Sequence, residues 1–120
     1  MILADTNAWI AHLRKSDPRL AVVLREGRVR TCDVVLGELL LGSGLPPTFA
    51  KDLGALSRVP SPTAADTRVF VERHRSAFSG SGVGWADAQI LLAAAKSGAR
   101  LFTSDRAMAR VASRVGVPRA

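Results

Sequence analysis

The stretch MILADTNAWI, residues 1–10, changes its pattern at a single acidic residue. Met1 to Ala4 is a short apolar run of the kind that forms a buried strand. Beyond it, Trp9 and Leu13 recur at helical spacing, so a helix is predicted directly after Asp5. A strand, a carboxylate and a helix therefore follow one another within fifteen residues, which raises the question of what the acid does at the strand's end.

The same alternation of strand and helix continues along the chain. Further short strands are predicted at residues 29–32 and 101–103, and a connector at 58–63 has a brief strand at its start. Helices are predicted to be capped by Asp17-Pro18, by Thr48 and by Thr63 (the last running to Ala77), and to cover Val34–Leu41, Ala86–Lys96 and Arg106–Val115. Because strands separated by helices pair in parallel, the predicted fold class is α/β, a three-layer α/β/α sandwich with a short, mostly parallel central sheet.

Two glycine-rich segments interrupt this pattern. Gly42 to Pro47 is predicted to stop the preceding helix. SGSGVG, residues 79–84, follows a helix instead of a strand, so it lacks the context of a dinucleotide or P-loop site and is interpreted as a connector.

The size and composition indicate one soluble domain covering residues 1–120. The chain has 120 residues and 48% hydrophobic content, which is enough for a single core. No apolar stretch approaches the ~18 residues that cross a bilayer, and the N-terminus lacks the basic flank of a signal peptide. Cys32 is the only cysteine, so an internal disulfide is excluded. We therefore expect a cytoplasmic protein without a membrane partner.

The positive charge suits a polyanionic partner. The net charge is +7, and fourteen of the seventeen cations are Arg, whose planar fork binds phosphate through two hydrogen bonds. A composition that reflects GC-rich codons is an equally good explanation, because the cations are spread along the chain. Charge alone leaves nucleic-acid binding open.

Four of the ten acidic residues have unusual neighbours. Asp5 follows the first strand, and Asp105 follows the strand LFT with one residue between. Glu38 lies in VVLGELLLG, well inside its helix, and Asp87 lies in the first turn of the most apolar helix. In a parallel sheet these positions converge on one edge, the edge where α/β folds bind ligands.

Such a cluster requires a counterion. Helix capping can explain Asp87 and Asp105, but Glu38 is too deep in its helix to cap it, and a carboxylate among leucines loses solvation that something must offset. Oxygen ligands suit Mg²⁺ or Mn²⁺ better than zinc, and His12 and His74 lack the spacing of a zinc site. Acids that hold Mg²⁺ in a basic protein point to phosphodiester chemistry.

Four blocks of the sequence, in series, resemble those of the PIN-domain ribonucleases: LADTNAWIAHLR, VVLGELLLG, GVGWADAQILLAAA and ARLFTSDRAMARVA. More narrowly they resemble the VapC toxins of bacterial type II toxin–antitoxin pairs. The resemblance implies a metal-dependent endoribonuclease, usually dimeric, that cleaves RNA and is held inactive in a larger assembly by a cognate VapB-like antitoxin. Some relatives carry a further acid shortly after the fourth, where this chain has Arg106, Ala107 and Met108.

The resemblance also assigns expected roles to individual residues. Asp5, Glu38, Asp87 and Asp105 match the family's catalytic, metal-binding acids. The neighbouring polar residues are expected to support them, and three nearby cations are candidates for contacts to RNA phosphates. The supporting set is Thr6, Asn7, Thr103 and Ser104, and the cations are Arg14, Lys15 and Arg106.

Other functions remain open at this stage. An aspartyl-phosphate enzyme would need a second Asp two residues after the first, where Asn7 stands. A non-catalytic PIN-fold module that binds RNA or protein is the main alternative, and metal-dependent RNA cleavage separates it from the nuclease. The helices between Asp17 and Leu41 could present apolar surface to a second copy or to an antitoxin helix.

Overall fold

The computed structural model describes residues 1–42, 44 and 46–120. Three strands lie in this part of the chain: β1 (Ile2–Ala4), β2 (Val29–Arg30) and β3 (Arg100–Phe102). The helices found there are α1 (Thr6–Arg14), α2 (Pro18–Arg25), α3 (Asp33–Gly42), α4 (Pro47–Leu53), α5 (Ala64–Arg73), α6 (Arg75–Phe78), α7 (Trp85–Ser97) and α8 (Arg106–Arg114).

The three strands form one parallel sheet in the order β2-β1-β3. All three residues of β1 are buried, as expected for a central strand covered on both faces. Single parallel bridges extend the sheet on both sides, from Thr31 to Arg58 and from Leu101 to Arg119. The predicted α/β class with a parallel sheet is confirmed.

The strand order places a topological switch point at the carboxyl end of β1. After β1 the chain passes to β2 on one side of it, and it returns later to β3 on the other side. In open parallel sheets the connections diverge at such a switch point and leave room for a ligand. Asp5 follows β1 at this place.

Local capping explains most helix starts. The Asp17 carboxylate accepts a hydrogen bond from the Arg19 amide at 2.9 Å, and the Thr63 hydroxyl accepts one from the Asp66 amide at 3.0 Å, both as predicted. The prediction of a cap at Thr48 is wrong, because α4 begins at Pro47. Proline has no amide proton and a preset φ, so it suits the first helical position.

Two further predictions concern where helices end: the helix that begins at Thr63 and the stop after α3. The helix predicted from Thr63 to Ala77 is wrong in extent: it breaks at His74, whose backbone leaves the helical region at φ −112° and ψ 32°, into α5 and α6. The predicted stop over residues 42–47 includes Ser43 and Leu45, which lie outside the described residues.

The core lies on both faces of the sheet. Trp9 of α1 is fully buried, and its ring meets that of Phe49 edge to face at 6.4 Å. Helix α7 buries an almost continuous apolar stretch from Ala88 to Ala94. No helix among the described residues is long and apolar enough to cross a membrane.

Candidate functional site

Four carboxylates from four segments of the chain lie around the carboxyl edge of the sheet. Asp5 and Asp105 follow β1 and β3, whereas Glu38 and Asp87 come from α3 and α7. These two helices pack against each other, and α3 also packs against α1, so the helical acids are brought over the strand ends. The structure therefore gathers the four acids that the sequence singled out.

Asp5 is the most deeply buried of the four, with 2% of its surface exposed. One oxygen, Oδ1, accepts a hydrogen bond from the Ala8 amide at 2.8 Å, which caps α1, and Oδ2 accepts one from the Thr103 hydroxyl. Burial raises the pKa of Asp5, the two hydrogen bonds oppose that rise, and the charges of Asp105 and Glu38 add to it.

Glu38 is half-buried and accepts a hydrogen bond from the Thr6 hydroxyl at 2.6 Å. Thr6 was expected to support the neighbouring acids, and its hydroxyl contacts Glu38, 32 residues away. Glu38 is the sixth residue of α3, so it has no part in the helix cap. Its carboxylate is thus held in the site by a tertiary contact.

Asp87 is the third residue of α7 and the acid most affected by the other three. Its pKa rises from the ordinary 3.8 to about 6. Burial is the largest cause, followed by the charges of Glu38, Asp5 and Asp105, and a backbone interaction with Gly84 opposes the rise. Three acids distant in sequence thus act on one carboxylate.

Asp105 caps α8. Its Oδ1 accepts hydrogen bonds from the amides of Ala107 and Met108 at 2.8 and 3.1 Å. Its own amide donates to the Thr103 hydroxyl at 3.0 Å, so that hydroxyl lies between Asp105 and Asp5. Thr103 is the supporting residue that most directly ties two of the acids together.

The other predicted residues lie at the surface. Asn7 and Ser104 are exposed and make no side-chain hydrogen bond within the described part of the chain. The three candidate RNA-binding cations are exposed as well and have no ion-pair partner among the described residues: Arg14, Lys15 and Arg106. They are accessible to a ligand, but nothing in the fold directs them at the acids.

The donor chemistry of the site fits a hard divalent ion. Four carboxylates supply oxygen ligands, and their mutual repulsion is what a 2+ charge would relieve. In the present conformation no three His, Cys, Asp or Glu side chains of the described residues are arranged around one metal position. Asp5 and Glu38 instead accept the hydroxyl hydrogen bonds of Thr103 and Thr6.

One feature near the site was not predicted from the sequence. The SGSGVG segment, interpreted as a connector, contributes with α5, α6 and α7 to the wall of a cavity of about 340 Å³. Trp85 lines this cavity and is 49% exposed. The sequence signal that could have indicated this cavity is Trp85, an aromatic residue two positions before the candidate catalytic acid Asp87.

The class of protein is defined by a parallel sheet with four acids at its carboxyl edge: two follow β1 and β3, and two come from α3 and α7. The chain belongs to the PIN domain family, which matches it over residues 2–114. It is also similar to Ribonuclease VapC32 of Mycobacterium tuberculosis, in the strains CDC 1551 / Oshkosh and ATCC 25618 / H37Rv. Each is 37% identical over 119 residues, which cover 98% of this chain and 94% of the relative. The resemblance to VapC proteins seen in the sequence is confirmed.

Proposed function

We propose that this chain is a metal-dependent endoribonuclease that acts as the toxin of a toxin–antitoxin pair. Membership of the PIN domain family and the similarity to a protein named Ribonuclease VapC32 support this reaction class. The observation that carries the proposal is the convergence of four carboxylates at one edge of the sheet, Asp5, Glu38, Asp87 and Asp105. Burial and repulsion from the other three acids raise the pKa of Asp87 to about 6. A fold without a ligand to bind gains nothing from such repulsion.

The four acids are the proposed metal ligands. Asp5, Glu38 and Asp87 would hold Mg²⁺ or Mn²⁺, and Asp105 would complete the site. When bound, the ion would lower the pKa of a water molecule and neutralise charge on the phosphate during hydrolysis.

Hydrogen bonds from other residues of the chain orient the acids of that site. The hydroxyls of Thr103 and Thr6 each hold one carboxylate, Asp5 and Glu38, in a fixed orientation. The caps of α1 and α8 fix the backbone at Asp5 and Asp105. The exposed cations Arg14, Lys15 and Arg106 are proposed to contact RNA phosphates.

The proposed partners are RNA, a VapB-like antitoxin and a second copy of the chain. Leu40 and Leu41, at the end of α3, are 67% and 90% exposed, and such surface favours a protein contact. We further propose that residues 1–120 form one domain that works in the cytoplasm.

Cleavage of a defined RNA tests the proposal. The purified chain should cut RNA with Mg²⁺ or Mn²⁺, excess EDTA should stop the reaction, and Asp5→Asn should abolish it while leaving the circular dichroism spectrum unchanged. Asp33→Asn is the matched control, because Asp33 is exposed and pairs with Arg58 at 3.4 Å. Cleavage that survives Asp5→Asn would remove the acid from the mechanism. RNA that is bound but never cut would identify a non-catalytic binding module.

A further inference from the structure

The cavity beside α7, which we call the Trp85 cavity, lies outside the acid cluster. Val71, Phe78, Val83 and Ala88 give it an apolar lining, and Trp85, Arg75, Ser79 and Gly84 complete its wall. Its volume of about 340 Å³ is at the lower end of the ~300–1,000 Å³ typical of small-molecule sites. This volume is enough for one flat ring system.

The cavity and the acid cluster adjoin the same turn of α7. Gly84 lines the cavity, and its backbone also interacts with the Asp87 carboxylate. Trp85 and Asp87 are two residues apart in a helix, about 200° around its axis, so they project to different sides of the turn. A ligand that contacts both places would have to extend around this turn of α7.

The chemistry of the wall matches a nucleobase. Trp85 exposes half of its surface, which leaves the indole available for stacking on a base. Arg75 is exposed, and its guanidinium has no ion-pair partner among the described residues, so its charge is free for a phosphate or for the edge of a base. The N-terminus of α7 has no side-chain cap, and its first amides add positive potential between the cavity and the acids.

We propose that the Trp85 cavity binds one base of the single-stranded RNA substrate, a few nucleotides from the cleaved bond. The base stacks on Trp85 above the apolar floor of Val71 and Phe78, and Arg75 contacts the adjoining phosphate. This inference rests on the proposed ribonuclease function and adds to it a contact that selects the nucleotide at one position.

Binding can be measured separately from cleavage. Trp85 is one of two tryptophans, and the other, Trp9, is buried, so quenching of the exposed indole reports on the cavity. We would titrate the protein in EDTA with RNA tetranucleotides of a single base and with an abasic oligomer of equal charge. The base-bearing RNAs should quench the fluorescence, and the abasic oligomer should not.

Variants then test the two contacts. Trp85→Ala should weaken binding of the preferred tetranucleotide by about 5- to 150-fold, the range expected for the loss of one stacked base, and should flatten the preference among bases. Arg75→Gln should weaken binding more than Arg73→Gln, which removes the same charge from a neighbouring exposed position outside the cavity. The arginine pair and the wild-type quenching still decide the question if Trp85→Ala does not fold.

The outcomes separate this proposal from the nuclease proposal. Metal-dependent cleavage whose base preference is unchanged in Trp85→Ala overturns the cavity assignment and leaves the nuclease standing. Base-dependent quenching without any cleavage overturns the nuclease proposal and leaves the base contact at Trp85 standing. Quenching that depends only on protein concentration would show that a second copy of the chain covers Trp85. Quenching that the abasic oligomer reproduces would show that phosphate alone binds there. Either result would also overturn the assignment.

Discussion

Replacement of Asp87 by asparagine should raise the free energy of unfolding at neutral pH in the absence of divalent ions. The pKa of Asp87 is raised from 3.8 to about 6. Between these two values the folded chain therefore binds more protons at this carboxyl than the unfolded chain does. Stability falls as pH rises through that window, and the loss is complete above it.

The size of the effect follows from the same numbers. A difference of about 2 in pKa corresponds to at most ~3 kcal/mol. Because Asp87 is partly exposed, solvent screening reduces this value, and we expect a gain of about 1–2 kcal/mol for Asp87→Asn near neutral pH. The gain should vanish near pH ~4, where the wild-type carboxyl is protonated in the folded chain.

Urea unfolding in EDTA, followed by circular dichroism between about pH 4 and pH 7.5, measures this difference. Asp66→Asn is the matched control: Asp66 is exposed, and its hydrogen bond from Lys96 at 3.0 Å lowers its pKa, so this variant should gain no stability. A variant Asp87→Asn that is no more stable than wild type at neutral pH, or whose advantage does not depend on pH, would refute the conclusion that burial and the neighbouring acids make the Asp87 charge unfavourable. Added Mg²⁺ should stabilise wild type more than Asp87→Asn.

Other predictions concern single contacts. Thr103→Val should cost about 1.5–3 kcal/mol in urea unfolding at neutral pH, because it removes a hydrogen bond to the buried Asp5 carboxylate, and Thr103→Ser should recover most of that loss. RNA cleavage should follow the same order. Gly98→Ala should destabilise by about 1–2 kcal/mol, since Gly98 ends α7 at φ +70°. Gly37→Ala, inside α3 with open space around the added methyl group, should stabilise by about 0.5–1 kcal/mol, and equal effects of the two changes would contradict this reasoning.

The strands and acids of the site could be predicted because their signals are local. A buried apolar run followed by Asp5, and a glutamate among leucines at residue 38, are visible within ten residues of sequence. A parallel sheet then brings strand ends to one edge, so the proximity of the acids follows from topology without any knowledge of side-chain contacts.

The hydroxyl contacts could not be predicted because they depend on how the elements cross. Thr6 bonds to Glu38 across 32 residues, and Thr103 bonds to Asp5 across 98. Which hydroxyl meets which carboxylate depends on rotamers and on the packing of α1 against α3, and neither leaves a periodic signal. The lining of the Trp85 cavity lies within residues 71–88, but the cavity also escaped prediction, because it depends on the break between α5 and α6 at His74, where the sequence predicts one continuous helix.

Capping does not by itself explain why carboxylates occupy these positions. Asp5 and Asp105 cap helices, but Asn, Ser or Thr would accept the same amide hydrogen bonds without adding charge. Glu38 caps nothing, and the pKa of Asp87 is raised by burial and by the three neighbouring acids, a sign of a charge that is unfavourable in the folded chain. The charge of this cluster opposes folding, and its hydrogen bonds to the backbone do not need that charge. A cationic ligand that binds there accounts for the four carboxylates. If Asn at all three aspartates stabilised the chain but left Mg²⁺-dependent stabilisation and cleavage intact, that account would fail.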